Sequence, residues 1–271
     1  MTAVGAPAGP ARWHGAGLGT QLWVLTARVL RAYLLDPRLL VANMLGPLLM
    51  LTMFSQMLGS LARAPGFPAG VRYVDFLVPA LLITSAMQQA FGSAVGLTLE
   101  MRDGIVARLR AMPLWPGSVL LARSLADLVR GGLQLLLILV LAALVFGFRP
   151  PGGPAGALAA GALALAVGCC LGWIFVALAC WIRNAELVQS VAGLLTFPMI
   201  FASNAFVPVG GLPGWLRAVV RVNPATYGIE AARDLVLGVA TPGGVAIALA
   251  VSAAVGITAA AVAVRGFQRR P

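Results

Sequence analysis

The chain contains few charged residues, and this scarcity limits the class of protein to which it can belong. Only 10% of the 271 residues are charged, whereas 60% are hydrophobic. A soluble domain carries about 25% charged residues, so this sequence has too few to cover a surface that faces water. Its apolar residues suffice for about six membrane spans of roughly 20 residues each. The composition excludes an ordinary soluble enzyme and a protein with a single membrane anchor.

Several catalytic and nucleotide-binding residues are also missing. The chain has no lysine, and its one histidine, His14, lies near the N-terminus. A GxxxxGK(S/T) phosphate loop needs a lysine and an HExxH zinc site needs two histidines, so neither motif occurs. We therefore expect no enzyme activity, no metal site and no cofactor in this chain. Its three cysteines, Cys169, Cys170 and Cys180, share one apolar run without CxxC spacing, which predicts free thiols.

No acidic residue is predicted to lie in the middle of the membrane. The eight acidic residues all fall at or near the ends of apolar runs: Asp36, Asp75, Glu100, Asp103, Asp127, Glu186, Glu230 and Asp234. Proton- and sodium-coupled transporters use carboxylates within the membrane, so the sequence argues against secondary transport. The protein is then either passive or driven by a partner.

Six long apolar runs predict an all-α, polytopic membrane protein. We place its transmembrane helices near residues 39–61, 76–99, 125–148, 155–181, 187–207 and 242–264. They form one transmembrane domain over residues 39–265. Ahead of it, residues 18–38 combine apolar positions at helical spacing with arginines, which is typical of an amphipathic helix in the membrane interface. Residues 1–17 are rich in Ala, Gly and Pro, which predicts a disordered tail.

The basic residues predict the orientation of the chain. All 19 are arginines, and they give a net charge of +11. They flank apolar runs and form no patch with interleaved aromatic residues, which argues against nucleic-acid binding. They are more frequent in the segments that face the cytoplasm if the N-terminus is inside. We therefore expect both termini, including a basic tail at 266–271, in the cytoplasm.

Two apolar runs contain glycines at GxxxG spacing, Gly92 with Gly96 and Gly168 with Gly172. Glycines at this spacing leave a smooth helix surface that a second helix can approach closely. Both pairs are therefore candidates for close helix contacts.

The segment 100–116, between the second and third predicted spans, has the pattern of a short amphipathic helix. Met101, Ile105 and Leu109 recur every fourth residue and share one face. Charged residues of both signs surround this face: Glu100, Arg102, Asp103, Arg108 and Arg110. The pattern leaves two interpretations open. The segment either docks in a groove on another protein or rests on lipid headgroups.

This segment resembles the first cytoplasmic loop of ABC-2 type permeases, the membrane subunits of ABC exporters. In that family a Glu begins a short helix, a Gly follows four residues later and an LxxxP pattern closes it. Glu100, Gly104, Leu109 and Pro113 match these positions.

A second stretch, 203–238, is similar to the last extracellular segment of the same family. The matching residues are Pro208, Leu212–Leu216, Asn223, Pro224, Tyr227 and Arg233. The stretch departs from the family at Ala225, where a larger apolar residue or Thr is usual. With both stretches, the resemblance to the family extends over roughly residues 20–265. Within the family, the chain most resembles the daunorubicin-resistance type of permease.

The resemblance implies a separate ABC ATP-binding subunit that binds ATP and Mg²⁺. It also implies a second permease copy or a paralogue, forming a homo- or heterodimer in the bacterial cytoplasmic membrane. Segment 100–116 would be the coupling helix that docks on the ATPase. The residues assigned to this contact are Glu100, Met101, Arg102, Asp103, Gly104, Ile105, Arg108 and Leu109.

Three charged residues lie at the start of the third predicted span. Arg123, Asp127 and Arg130 are spaced by four and three residues, so they can share one helix face. They form either an ion network that anchors the helix at the membrane edge or, as the resemblance implies, a polar relay behind the coupling helix.

The outer segment 208–241 is expected, from the resemblance, to turn back into the membrane as short helices that cap the exit. The assigned residues are Pro208, Trp215, Pro224, Tyr227, Glu230 and Arg233. Glu230 and Arg233 are three residues apart, which predicts a local ion pair. Pro198 is expected to interrupt the fifth span just before this segment.

The resemblance places the transport pathway at the dimer centre, between the second and fifth spans. The candidate residues are Met87, Gln88, Phe91, Thr196, Phe197 and Met199. Met and Phe adapt to varied apolar ligands, and they equally suit plain helix packing. The expected function is ATP-driven export of an amphipathic or lipophilic small molecule, such as a drug, an antibiotic or a lipid.

Two alternative functions stay open. A polysaccharide or glycolipid exporter needs aromatic and polar groups along its pathway, and this chain has only 3 Tyr. A non-transporting membrane assembly factor or sensor needs no stimulation of a partner ATPase.

Overall fold

The computed structural model describes residues 23–24, 27, 31, 37–63, 67, 70–103, 116–182, 184–207 and 213–268. From residue 37 onward these residues form eight α-helices and one 3-10 helix, and none of them lies in a strand. The helices are α1 (Pro37–Met57), the 3-10 helix (Gly59–Arg63), α2 (Tyr73–Arg102), α3 (Pro116–Phe146), α4 (Gly153–Ile182), α5 (Ala185–Phe201), α6 (Gly214–Val222), α7 (Pro224–Leu237) and α8 (Pro242–Gln268). The expectation of an all-α fold is confirmed.

Four of the six predicted spans correspond to helices that are long and apolar enough to cross a membrane. These four are Tyr73–Arg102, Ser124–Phe146, Gly153–Ile182 and Pro242–Gly266. The chain is therefore a multi-pass membrane protein. The first predicted span corresponds to α1, with 21 residues, and the fifth to α5, with 17. Whether these two helices cross the membrane stays a prediction.

Two helices differ from their predicted bounds for physical reasons. α3 begins at Pro116, well before the predicted start at 125, because proline is favoured in the first turn of a helix. α5 ends at Phe201, short of the predicted end at 207. Pro198 removes one backbone hydrogen bond from this last turn. The helix closes there with a bond from the Ala202 N–H to the Pro198 carbonyl at 2.8 Å.

Asparagine side chains fix the start of two helices. The Asn184 Oδ1 accepts from the backbone N–H groups of Glu186 and Leu187 at 3.0 and 3.1 Å, where α5 begins. The Asn223 Oδ1 accepts from the Ala225 N–H at 3.0 Å, where α7 begins. Asn223 also ends α6, so one residue sets the corner between the two short helices.

Helix α4 lies at the centre of the bundle and packs against α2, α8, α7 and α3. The α4 glycines permit the close approach of α2. A Cβ atom at Gly168 would overlap the Cβ of Ala86, and one at Gly172 would lie 2.7 Å from the Cβ of Ala90. This GxxxG pair is thus a helix contact, as predicted. Gly92 of α2, by contrast, has no atom within 4 Å of its Cβ position in the described residues.

The two ends of the chain are described in part. Trp23, Val24, Ala27 and Arg31 are helical. That residues 18–38 form an interfacial helix stays a prediction. The residues before Trp23 lie outside the described part. At the other end α8 continues to Gln268. The three cysteines, all on α4, form no disulfide bond among the described residues, as expected.

Candidate functional site

A cavity of about 560 Å³ lies among α1, α2, α3 and α5. Its polar side chains are Asn43 of α1, Thr84, Ser85, Gln88 and Gln89 of α2, and Arg130 and Gln134 of α3. Its larger apolar side chains are Met50 of α1, Leu81 of α2, and Ile200 and Phe201 of α5. Polar groups inside apolar helices mark functional sites in membrane proteins, so this cavity is the candidate site.

Two polar side chains of the cavity wall have no hydrogen-bond partner among the described residues. Ser85 is 4% exposed and Gln134 is 5% exposed. Neither side chain forms a hydrogen bond among the described residues, and both border the cavity. Their polar atoms are not among the fully inaccessible ones that lack a partner, so a molecule in the cavity can reach them. The cavity therefore suits a molecule that supplies hydrogen-bonding groups.

The charged residues predicted at the start of the third span form an ion pair next to the cavity. The Asp127 carboxylate accepts from the Arg130 guanidinium at 2.9 Å, and both side chains are about one fifth exposed. Ser93 of α2 donates its hydroxyl to the same carboxylate. The Gln89 amide donates to the Asp127 carbonyl at 2.8 Å. The side chain of Arg123 lies outside the described residues.

Gln89 and Ser93 were missed by sequence reasoning, because they belong to another helix. They are polar residues inside an apolar run, four positions apart, and therefore share a face of α2. This pattern of two polar residues in an apolar run could have identified them from the sequence. The cluster of Gln89, Ser93, Asp127 and Arg130 joins α2 to α3 beside the cavity.

The predicted pathway residues do not come together in one site. Gln88 lines the cavity. Met87 is fully buried in the core, and Phe91 packs on Phe175 with ring centroids 5.9 Å apart. Thr196 is buried and donates its hydroxyl to the Ala192 carbonyl at 2.7 Å.

The other two pathway residues lie on α5. Phe197 is 63% exposed and stacks on Phe201 at 4.5 Å. Met199 borders a separate apolar groove between α5 and α6. Of the six predicted residues, the cavity includes Gln88 alone.

The predicted coupling segment begins on the last turn of α2. Glu100, Met101 and Arg102 are helical, and Asp103 caps the helix with its N–H bonded to the Leu99 carbonyl at 2.9 Å. Arg102 and Asp103 are exposed. The remaining predicted residues lie outside the described part of the chain: Gly104, Ile105, Arg108 and Leu109. One continuous helix thus connects the cavity wall to the start of this segment.

The predicted outer residues lie on α6 and α7, except Pro208, which lies outside the described residues. Trp215 is 71% exposed on α6. Pro224 takes the first position of α7. Tyr227 donates its hydroxyl to the Arg221 carbonyl at 2.7 Å, which ties α7 back to α6.

The predicted ion pair between Glu230 and Arg233 is wrong. Glu230 is exposed, whereas Arg233 is 7% exposed and faces the bundle. Its guanidinium donates to the carbonyls of Phe76 at 3.2 Å and Asn204 at 2.9 Å, and lies 3.6 Å over the Phe76 ring. Arg233 therefore holds α7 to α2, a role that the spacing did not indicate.

A second arginine closes the same end of α2. Arg72 forms a two-pronged ion pair with Asp75, at 2.8 and 2.9 Å, and donates to the Gly147 carbonyl at 2.7 Å. The Asp75 carboxylate also accepts from the Arg149 N–H at 3.3 Å. The hydrogen bonds with Asp75 raise the pKa of Arg72 above its ordinary value. This network joins α2 to the turn between α3 and α4.

Comparison with known proteins gives the family. Residues 20–237 match the family model of the ABC-2 type transporter. The daunorubicin resistance ABC transporter permease protein DrrB1 of Streptomyces coeruleorubidus is 29% identical over 234 residues, which cover 86% of this chain and 80% of that protein.

Two further relatives cover similar shares. The probable doxorubicin resistance ABC transporter permease protein DrrC of Mycobacterium tuberculosis is 26% identical over 240 residues, 84% of this chain and 83% of that protein. Nodulation protein J of Rhizobium meliloti is 28% identical over 225 residues, 80% of this chain and 81% of that protein. Since the family model matches most of the chain, this protein belongs to the ABC-2 type transporter family, as a permease related to the daunorubicin and doxorubicin resistance permeases.

Proposed function

We propose that this permease exports an amphipathic or lipophilic small molecule from a bacterial cell. The observation that supports the proposal is the cavity of about 560 Å³ among α1, α2, α3 and α5. Binding pockets for small molecules span about 300–1,000 Å³ and combine apolar walls with a few polar groups. Met50, Leu81 and Phe201 supply the apolar wall here, and Gln88 and Gln134 supply polar groups.

The energy comes from another subunit. Membrane subunits of this family have no ATPase activity, and an ABC transporter permease implies an ATP-binding partner subunit. In our proposal the partner binds ATP and Mg²⁺ and contacts segment 100–116. The Arg102 end of α2 then faces the cytoplasm, together with both termini. Gly92 and Arg102 are about 15 Å apart on one helix, so a displacement at the contact reaches the cavity through α2.

A second permease copy or a paralogue completes the transporter in this proposal, with the pathway between the two permeases. Gln88 and Phe197 remain candidates for the pathway because their side chains are exposed in the single chain. Met87 and Thr196 are assigned to helix packing instead, because both are buried. The short helices α6 and α7 form the outer cap, which Arg233 fastens to α2.

The test is ATP-driven export by the permease reconstituted with its ATPase in proteoliposomes. Glu100→Arg reverses a charge at the proposed contact, so we expect loss of export and of cargo-stimulated ATP hydrolysis. Size-exclusion chromatography checks that the variant is folded. Glu186→Arg is the matched control, since Glu186 is an exposed acid at the same end of the bundle, on α5. Wild-type export by Glu100→Arg would contradict the proposed coupling.

A further inference from the structure

We propose that the cavity takes an amphiphile with an uncharged hydrogen-bonding head and an apolar tail. The head lies against Ser85, Gln88 and Gln134, and the tail lies toward Met50, Leu81 and Phe201. The inference rests on the proposed function in one respect: it takes the occupant of the cavity as the cargo. It goes further by naming the chemistry of the cargo and the direction in which the cargo lies.

The large apolar side chains of the wall cluster toward one end of the cavity. They are Leu81 of α2 and, from the second half of α1 and the last turn of α5, Met50 and Phe201. Polar side chains begin about one turn further along α2 with Ser85 and continue with Gln88. The wall thus changes from apolar to polar in the direction from Leu81 to Gln88.

The cavity lies in the middle of α2. Leu81 and Gly92 both border it, whereas the helix runs from Tyr73 to Arg102. Leu81 is therefore about 12 Å from one end of the helix and Gly92 about 15 Å from the other. An occupant lies deep in the membrane, where an unpaired hydrogen-bonding group is unfavourable. Its head must therefore find partners in the cavity wall.

The charges around the cavity favour an uncharged head. Arg130 is the one charged side chain among the described residues of the wall. Its guanidinium is paired with the Asp127 carboxylate at 2.9 Å, so the pair has no net charge. A charged head would enter a low-dielectric site without a counter-charge, which is unfavourable. Neither a cationic nor an anionic group is compensated there.

Ser85 and Gln134 indicate what the head carries. Both are at least nine-tenths buried, border the cavity and have no hydrogen-bond partner among the described residues. An amide and a hydroxyl each donate and accept. A head with hydroxyl or carbonyl groups satisfies both, whereas a hydrocarbon satisfies neither. Two exposed residues, Asn43 and Gln88, lie where the cavity reaches the surface.

Photolabelling of the full-length permease in lipid nanodiscs tests the orientation. The probes are two alkyl glucosides, one with a diazirine at the end of the chain and one with a diazirine beside the sugar. Mass spectrometry maps the labelled residues. We expect the chain-end probe to label near Met50, Leu81 and Phe201, and the sugar-proximal probe to label near Gln88 and Gln134. The reverse pattern, or labelling elsewhere, overturns the proposal.

Two further probes test the head, with the same chain-end diazirine but a sulfate or a trimethylammonium in place of the sugar. We expect the glucoside to label the cavity about tenfold more strongly than either charged probe. Equal or stronger labelling by a charged probe overturns the assignment of an uncharged head.

Variants of the wall test the role of the hydrogen bonds. Gln134→Leu keeps the approximate volume and removes the amide, so labelling by the glucoside falls about fivefold, the equivalent of one hydrogen bond. Ser85→Ala removes the second group and serves if Gln134→Leu fails to fold. Gln56→Leu is the control, since Gln56 is exposed on α1 away from the cavity. Unchanged labelling in both cavity variants overturns the proposal.

The partner ATPase separates a cargo from a resident lipid and from a failure of the proposed function. With the ATPase present, ATP and Mg²⁺ should clear a cargo from the cavity and reduce labelling, whereas persistent labelling identifies a resident lipid and overturns the cargo assignment. A permease that supports no ATP-driven export overturns the proposed function. The position and head-group preference of the labels without ATP still decide the inference about the cavity.

Discussion

Helix α2 has two opposite faces that differ in how closely they pack and in their polarity. One face packs on α4 through small residues, with Ala86 and Ala90 opposite the two α4 glycines. The other face borders the cavity with Leu81, Ser85 and Gln88. On the first face tight contact determines which side chains fit. On the second face, the helix carries polar side chains that helix packing does not require. The contrast separates the part of the helix that stabilises the bundle from the part available for cargo.

The largest expected effect comes from filling the packed face. Gly168→Ala places a methyl group against the Ala86 Cβ, so it should lower the free energy of unfolding by about 2 kcal/mol or more, as overpacking does. The matched variant Gly92→Ala adds a methyl on the cavity face, where no neighbouring atom of the described residues lies within 4 Å, and should not destabilise. Thermal denaturation in detergent, followed by size-exclusion chromatography, measures both.

The double variant Gly168→Ala with Ala86→Gly sharpens this test. It moves the methyl group from α2 to α4, so most of the lost stability should return, less about 1 kcal/mol for a new glycine inside a helix. If the double variant is no more stable than Gly168→Ala alone, the contact between these residues is not the cause.

A second prediction concerns the arginines near the Tyr73 end of α2. Arg233→Gln removes a buried guanidinium from two carbonyls and from the Phe76 ring, which should cost about 2 kcal/mol. Arg72→Gln breaks the ion pair with Asp75, but Arg72 is 51% exposed. The solvent-screened pair is worth about 1 kcal/mol or less. The same denaturation assay should rank Arg233→Gln well below Arg72→Gln, and the opposite order would contradict the assigned roles.

Sequence reasoning identified the helices because their signal is local. A run of apolar residues predicts a span wherever it occurs. The predicted runs fall within the observed helices apart from the ends of the third and fifth runs and the region of the 3-10 helix. The same reasoning failed for pairs that depend on distant residues. Gly92 and Gly168 share a spacing, yet only Gly168 faces a second helix closely. The partner of a glycine is not encoded in the spacing.

The candidate site shows the same division. The pair of Asp127 and Arg130 was predictable because the two residues are three positions apart on one helix. Ser93 comes from α2, thirty-four positions earlier, so no local pattern linked it to Asp127. For Arg233 the local pattern predicted a pair that does not form. Glu230 is near Arg233 in sequence, but the side chain of Arg233 turns inward and donates to carbonyl groups. The burial of the Arg233 side chain determined its partners, and the spacing of residues in the sequence does not predict burial.

A third prediction alters the charge beside the cavity. Asp127→Asn leaves the Arg130 guanidinium without its counter-charge, which should cost about 1–2 kcal/mol in stability for this partly buried pair. It should also move the preference of the cavity toward the sulfate probe, because the wall then carries a net positive charge. The double variant Asp127→Asn with Arg130→Gln removes both charges and should restore the preference for the glucoside. A preference unchanged in the single variant would show that this pair does not influence the cavity.

The smallest effect on stability is expected on the cavity face itself. Gln88→Leu changes an exposed side chain that borders the cavity, so the free energy of unfolding should change by less than about 0.5 kcal/mol. Export should nevertheless fall several-fold, because the head of the cargo loses a hydrogen-bonding group where it enters. Comparison with Gln56→Leu in the same transport assay removes any general effect of an added leucine. If Gln88→Leu lowered stability as Gly168→Ala does, the two faces of α2 would not differ in function, and the cavity face would be a packing surface.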